Sequence, residues 1–389
     1  MYKVRTYNQI SSKGLDRFNR ENYEIASEFS EPDAFILRSH KLHDEEIPAS
    51  VTAVARAGAG VNNIPVGEFT QKGIVVFNTP GANANAVKEL IASALFLSSR
   101  DVFGGMNYVQ GLTDIKDGAE MSKLLEKQKK QFAGSEVAGK TLGVVGLGAI
   151  GSMVANMALE LGMNVVGFDP AISVEAAWRL SSDVEKMENL QSLLARADFI
   201  TVHVPALDVT HHLINAEALK CMKSSAILLN FAREEVVDAV AVREALDQGG
   251  LGKYVTDFPT PELLGRNDVL LMPHIGASTE EAEENCAIMA ADQLIDFLEN
   301  GNIRNSVNFP ATQMPRNGGY RITFCNENVP KVLGHVLSLL ADRSLNVIDM
   351  VNKSRDDIAY NIIDVESEPT EELLEEIRHV DGIIVVRGL

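Results

Sequence analysis

The stretch TLGVVGLGAIGSMVANMALELGMNVVGFD (141–169) decides the reading of this chain. An apolar run, Thr141 to Val145, leads into Gly146-Leu-Gly148-Ala-Ile-Gly151. A helical pattern follows, then a second apolar run ending in Asp169, 23 residues after the first glycine. GxGxxG alone is a weak signal. Placed between a strand and a helix, with an acid at that distance, it is the full dinucleotide fingerprint. Gly146 allows the tight turn, Gly148 lets the backbone reach a pyrophosphate, and Gly151 lets the helix pack close to the strand. The helix N-terminus, starting at Ala149 and Ile150, offers free N–H groups to that anion. Asp169 suits the adenosine ribose hydroxyls, and its charge repels a 2′-phosphate. Pro170 and Ala171 follow with no arginine, so the reading is NAD rather than NADP.

The β/α rhythm continues on the C-terminal side. TLGVVGLG, NVVGFD, ADFITVHVP, AILLNFA, KYVTDF and DVLLMPH are six strand candidates with helical patterns between most of them. That is enough for a complete doubly wound sheet. On the N-terminal side, AFILR (34–38), TAVARA (52–57) and GIVVFN (73–78) read as strands. A helix is predicted from about Asn85 to Ser99, with Val87, Leu90, Ile91, Ala94 and Leu95 on one face. Residues 101–138 read as a polar crossover over a domain surface. Ser278 with Glu281 fits a capping box for a helix running to about Asn300. NFPATQMPRNGG (308–319) has no periodicity and reads as a linker. Beyond it come a strand (YRITFC), an amphipathic helix (329–343), two strands flanking SRDD, a helix opening at Thr370 and a closing strand. That order, βαββαβ, is ferredoxin-like.

Composition bounds the function. A length of 389 residues argues for two or three domains. With 35 Lys and Arg against 54 Asp and Glu, the net charge is −19, which speaks against nucleic acid as a partner. Cys221, Cys286 and Cys325 are scattered without a CxxC pair, which points to the reducing cytoplasm. No segment has signal-peptide character. The most apolar stretch is broken by glycines and carries Asn156, Glu160 and Asn164, so no membrane span is expected. No motif asks for a metal.

Three further segments sit at strand ends: His203-Val-Pro205, Asn230-Phe-Ala-Arg233 and His274-Ile-Gly-Ala-Ser278. Ligands of open α/β sheets bind at the carboxyl ends of strands. An arginine, an acid and a histidine there are what hydride exchange with a keto acid needs. The arginine clamps a carboxylate and the histidine moves the proton. Each has a plain alternative: Arg233 as a surface ion-pair partner, His274 as a core or helix-cap residue, and Glu262 as a loop acid.

Taken together, GKTLGVVGLGAIG, NFAR with VVD, a Glu after TDF, and PHIGAST resemble the D-isomer-specific 2-hydroxyacid dehydrogenases. LRSH (37–40), ARAGAGVNNI (55–64) and NTPGAN (78–83) resemble the substrate domain of the members that act on a phosphorylated substrate, and the tail resembles an ACT regulatory domain. The resemblance implies an α/β fold of three parts. A split flavodoxin-like substrate domain covers 1–97 plus 281–310, a Rossmann NAD-binding domain 98–280, and an ACT domain 320–389, with the active site in the cleft. It implies that Arg233, Glu262 and His274 are catalytic. It assigns cofactor contacts to Ala59, Gly146, Gly148, Ala149, Ile150, Gly151, Asp169, Val204, Pro205, Ala232, Asp257, Gly276 and Ala277. Substrate contacts fall on Arg38, Arg56, Gly58, Lys129 and Arg233. Effector contacts, for L-serine, fall on Asn326, Asn328 and Asn346, although Lys331 stands where the ACT signature has Gly.

The implied activity is NAD-dependent oxidation of 3-phospho-D-glycerate to 3-phosphohydroxypyruvate, the first step toward L-serine, by a cytoplasmic homo-oligomer. Two alternatives stay open: a hydroxypyruvate or glyoxylate reductase, and a non-catalytic NAD(H)-sensing interaction protein.

Overall fold

Short apolar runs open the chain as five parallel strands. They are β1 (Tyr2–Thr6), β2 (Tyr23–Ala26), β3 (Ala34–Leu37), β4 (Ala53–Arg56) and β5 (Val75–Phe77), in the order β2-β1-β3-β4-β5. This is the flavodoxin-like order. The first two strands escape a sequence reading because they alternate with polar residues. In β1 only Val4 is fully buried. The helix Glu280–Asn300 returns to this sheet. Cys286, Ala287, Ala290, Ala291, Leu294 and Phe297 share a core with Val4, Ile36, Ala55 and Phe77. Its N-cap is Thr279, whose hydroxyl accepts the Ala282 N–H at 3.1 Å. The expected Ser278 cap lies one residue early, because its N–H closes a turn onto the Ile275 carbonyl. The computed structural model describes residues 1–389; Met1–Asn83 and Thr279–Leu389 form one unit, Ala84–Ser278 the other.

The second unit holds seven parallel strands. They are β6 (Thr141–Val145), β7 (Asn164–Phe168), β8 (Glu185–Lys186), β9 (Phe199–Val202), β10 (Ile227–Asn230), β11 (Lys253–Thr256) and β12 (Val269–Leu271), ordered β12-β11-β10-β9-β6-β7-β8. The six expected strands are present in doubly wound order. The seventh, β8, is a two-residue exposed edge rung with no apolar signature. The helix Ala84–Ser99 belongs to this unit, so the boundary falls at Asn83 rather than 97. Its Val87, Ile91, Ala94 and Leu95 share a core with Leu142, Val144 and Val154. The polar crossover folds into helices Val102–Gln110 and Gly118–Gln128, capped by the side chains of Asp101 and Asp117.

The tail forms β13 (Tyr320–Glu327), helix Val332–Asp342, β14 (Val347–Arg355), β15 (Ile358–Val365), helix Glu371–Arg378 and β16 (Ile383–Gly388). Its antiparallel sheet is ordered β14-β15-β13-β16, the expected βαββαβ arrangement. Asn328, which precedes Pro330, also has the residue type of a helix cap, but it does not cap this helix. The cap position is Lys331, held at φ 82°, while the Asn328 amide donates to the Asp356 carbonyl at 3.1 Å.

The segment 308–314 is packed rather than free, while residues 315–319 are exposed. Phe309 and Met314 are buried, Thr312 bridges Ile303, and Asn308 bonds Val76, Ile74 and Thr70. Tail side chains also cap the helix Glu280–Asn300. Arg387 donates to the carbonyls of Phe297 and Leu298, Arg321 to Asn300, and Tyr360 to Gly301. No helix is long and apolar enough to cross a membrane.

Candidate active site

Strands β10, β11 and β12 are neighbours and parallel, so their carboxyl ends share one edge of the second unit. Arg233 follows β10, Glu262 follows β11 and His274 follows β12. Topology thus collects three residues spread over 42 positions of chain. Asn230, the last residue of β10, shapes the first loop. Its Oδ1 accepts the Ala232 N–H at 3.1 Å, and its Nδ2 donates to the Arg233 carbonyl at 2.9 Å. The Arg233 side chain is half-buried, with Nη1 donating to the Ala232 carbonyl.

Asp257 shapes the third loop. It is buried at the end of β11, and its two carboxylate oxygens accept the N–H groups of Ile275 at 2.8 Å and Gly276 at 2.7 Å. The His274 N–H donates to the Asp257 carbonyl. Between these bonds His274 adopts φ 56°, a left-handed conformation that costs a non-glycine residue energy. The strain is held by the Asp257 clamp. The imidazole is exposed and rests on Phe258, ring centroids 5.0 Å apart. Glu262 sits on the exposed turn Pro261–Leu263, and its own backbone amide holds its carboxyl below the usual range. Glu262 and His274 share no hydrogen bond here. Ala277 is half-buried in the same turn.

The glycine loop fits a dinucleotide. Gly146 takes φ 89°, and a Cβ there would stand 2.8 Å from the His203 carbonyl oxygen. A Cβ on Gly151 would collide with the Gly146 carbonyl, while Gly148 faces open space. The helix Ala149–Glu160 starts with no side-chain cap, as a phosphate-binding terminus requires. Asp169 braces the loop: its carboxylate accepts the Leu147 N–H at 2.8 Å and the Ala171 N–H at 2.9 Å. Val204 packs beside Gly146, and the Pro205 carbonyl accepts the Thr210 hydroxyl. His203 heads one of the strand-end segments but is given no role by the motifs. Its Nε2 meets the Thr201 hydroxyl at 2.9 Å, its Nδ1 has no partner, and burial holds its pKa down to about 3. It is neutral at physiological pH.

Other expected site residues lie in the first unit. Arg38 follows β3 and Arg56 ends the adjacent β4. Arg56 Nε donates to the Arg38 carbonyl at 3.0 Å, and Gly58 lies over the Arg56 guanidinium. Arg38 is ion-paired with Glu283 at 2.6 Å, a partner the sequence reading did not single out. The Ala59 carbonyl accepts the Asn78 amide. Lys129 belongs to the second unit and pairs with Glu126.

The effector candidates do not converge through hydrogen bonds. Asn326 is buried in a ladder of amides with Asn361 and Asn352 across three strands. Exposed Asn346 bonds Glu366 instead.

Residues 106–276 match the family model described as D-isomer specific 2-hydroxyacid dehydrogenase, NAD binding domain. A D-3-phosphoglycerate dehydrogenase of Methanocaldococcus jannaschii is 33% identical over 337 residues, covering 84% of this chain and 61% of the relative. The chain thus spans about three fifths of that relative's length. One from Haemophilus influenzae is 32% identical over 357 residues, covering 88% of this chain and 82% of the relative. Among solved structures, the NAD+-bound 3-phosphoglycerate dehydrogenase of Entamoeba histolytica aligns with a TM-score of 0.61 at 27% identity, covering 79% of this chain and 98% of that one. With the fingerprint loop, the three strand-end residues and this likeness over most of its length, the chain belongs to the D-isomer-specific 2-hydroxyacid dehydrogenases.

Proposed function

We propose that the protein oxidises 3-phospho-D-glycerate to 3-phosphohydroxypyruvate with NAD. The observation that carries this reading is the gathering of Arg233, Glu262 and His274 at the carboxyl ends of three adjacent parallel strands. NAD, when bound, supplies the hydride acceptor, and the open Gly148 cradle with Asp169 would hold it. Arg233 pairs the substrate carboxylate bidentately and fixes the C2 carbon. His274 takes the C2 hydroxyl proton on a ring nitrogen as the carbonyl forms. Glu262, held ionised, is the acceptor for the other ring nitrogen, a bond that in catalytic pairs commonly tightens only with substrate. Arg38 and Arg56 are the phosphate ligands in this reading. Asp169, with no arginine after it, favours NAD over NADP. The tail is read as an ACT-type regulatory domain. Asn328 and Asn346, both exposed, are its better effector candidates, because the Asn326 amide is already used.

The test is NADH formation at 340 nm with 3-phosphoglycerate, glycerate and lactate, using NAD and NADP, on the wild type and His274→Asn. The expected result is preference for the phosphorylated substrate with NAD and a loss of roughly 10²–10⁴-fold in kcat for the variant. Preference for glyoxylate or hydroxypyruvate in the reverse direction would make the protein a reductase. No turnover of any 2-hydroxy acid would leave a dinucleotide-sensing protein.

A further inference from the structure

Arg38, one of the two arginines of the candidate phosphate site, is held differently at its backbone and at its side chain. The Arg38 backbone is locked: its carbonyl accepts from Arg56 Nε at 3.0 Å and Asn63 Nδ2 at 3.3 Å. The next two N–H groups, of Ser39 and His40, bond Asn8 Oδ1 at 3.1 and 2.7 Å. Only the side chain of Arg38 has freedom, and its Nη1 is taken by Glu283 Oε1 at 2.6 Å. That pair is open to water, with side chains 41% and 46% exposed. Glu283 rises from the first turn of the helix Glu280–Asn300, one turn before Cys286, which feels Arg38, Arg56 and Glu283 together. Glu283 is thus a carboxylate paired with an arginine of the candidate phosphate site.

We propose that Glu283 is a specificity-determining residue: an internal anion that occupies Arg38 and that a substrate must displace to use it. This rests on the reading of Arg38 and Arg56 as phosphate ligands. A dianionic phosphate ester reaching two guanidinium groups outcompetes a single half-exposed carboxylate. A monoanion or an uncharged end does not, and leaves the Arg38–Glu283 pair closed. The pair sets a charge threshold and works by competition as much as by attraction.

Glu283→Gln keeps the shape and removes the charge. Two quantities are measured on the full-length protein: the ratio of KM for 3-phosphoglycerate to KM for glycerate, and the competitive inhibition constant of inorganic phosphate. Exposed ion pairs are weak, so each is expected to fall roughly two- to fivefold. Glu284→Gln, one residue on and paired with Lys13 at 2.6 Å, makes the same charge change and is expected to move neither. An equal fall in both variants would assign the effect to general charge and overturn the proposal. A rise in the Glu283→Gln ratio would make Glu283 a holder of Arg38, not its competitor, and no change would remove it from the site. If the wild type does not use 3-phosphoglycerate, the functional reading fails. The inhibition constant then still decides whether Glu283 competes for Arg38.

Discussion

At the residue scale Asp257 is a clamp, a role that no motif makes visible. Its place after β11 suggests a cofactor contact, yet both of its oxygens already hold backbone N–H groups of the His274 turn. A buried carboxylate accepting charge-assisted bonds is a strong anchor. It keeps His274 in a left-handed conformation that an exposed loop would otherwise relax. Asp257→Asn leaves one acceptor where two are needed. The expected result is a fall in kcat of roughly 10–100-fold, the scale of a displaced catalytic group, with a smaller change in NAD affinity. Stopped-flow turnover with NAD titration by fluorescence checks it, and an affinity loss larger than the kcat loss would return Asp257 to a purely cofactor-binding role.

At the scale of elements, the helix Glu280–Asn300 joins the sheet of the first unit to the tail. Its last carbonyls cannot bond within the helix. Here they accept from Arg387, Arg316, Arg321 and Tyr360, and two of the three arginines come from tail strands. Arg321 and Asp364 are both essentially inaccessible to water, and all five guanidinium N–H groups are used: two on Asp364, and three on Asn300, Met314 and Pro315. Removing one partner of such a pair strands a buried charge. Arg321→Met is expected to cost about 3–5 kcal/mol in urea unfolding, and Arg321→Met with Asp364→Leu to recover part of it. A single variant as stable as wild type would show that the pair is not buried in solution.

At the scale of the molecule, the tail and the first sheet share one core. Cys325, Ile358, Tyr360 and Ile362 lie in the same apolar cluster as Ala287, Phe297, Leu298 and Phe309. A module tied on by a loose linker can be cut off without harm; this one shares its apolar cluster with the first sheet. A chain ending at residue 319 loses those contacts and the cap of the long helix. The expected cost is about 5 kcal/mol, or about 10–20 °C in Tm, read by calorimetry on both lengths. An unchanged Tm for the shorter chain would make the tail a dispensable appendage.

Much was legible in the chain itself. Apolar runs of four to eight residues between turn signals marked β3 to β7 and β9 to β16; burial on both faces leaves such a run in the central strands, while β14 carries one although most of its residues are exposed. The glycine loop was legible because Gly146 takes a positive φ and Gly151 has no room for a Cβ. The half-exposed β1 and β2 and the two-residue β8 left no such pattern. Tertiary structure alone decided the rest: that Asp257 clamps His274, that Glu283 pairs with Arg38, that Asn326 belongs to an amide ladder and that residues 308–314 are packed. Each depends on segments far apart in sequence meeting in space, and no local periodicity records which distant partner a polar side chain will find.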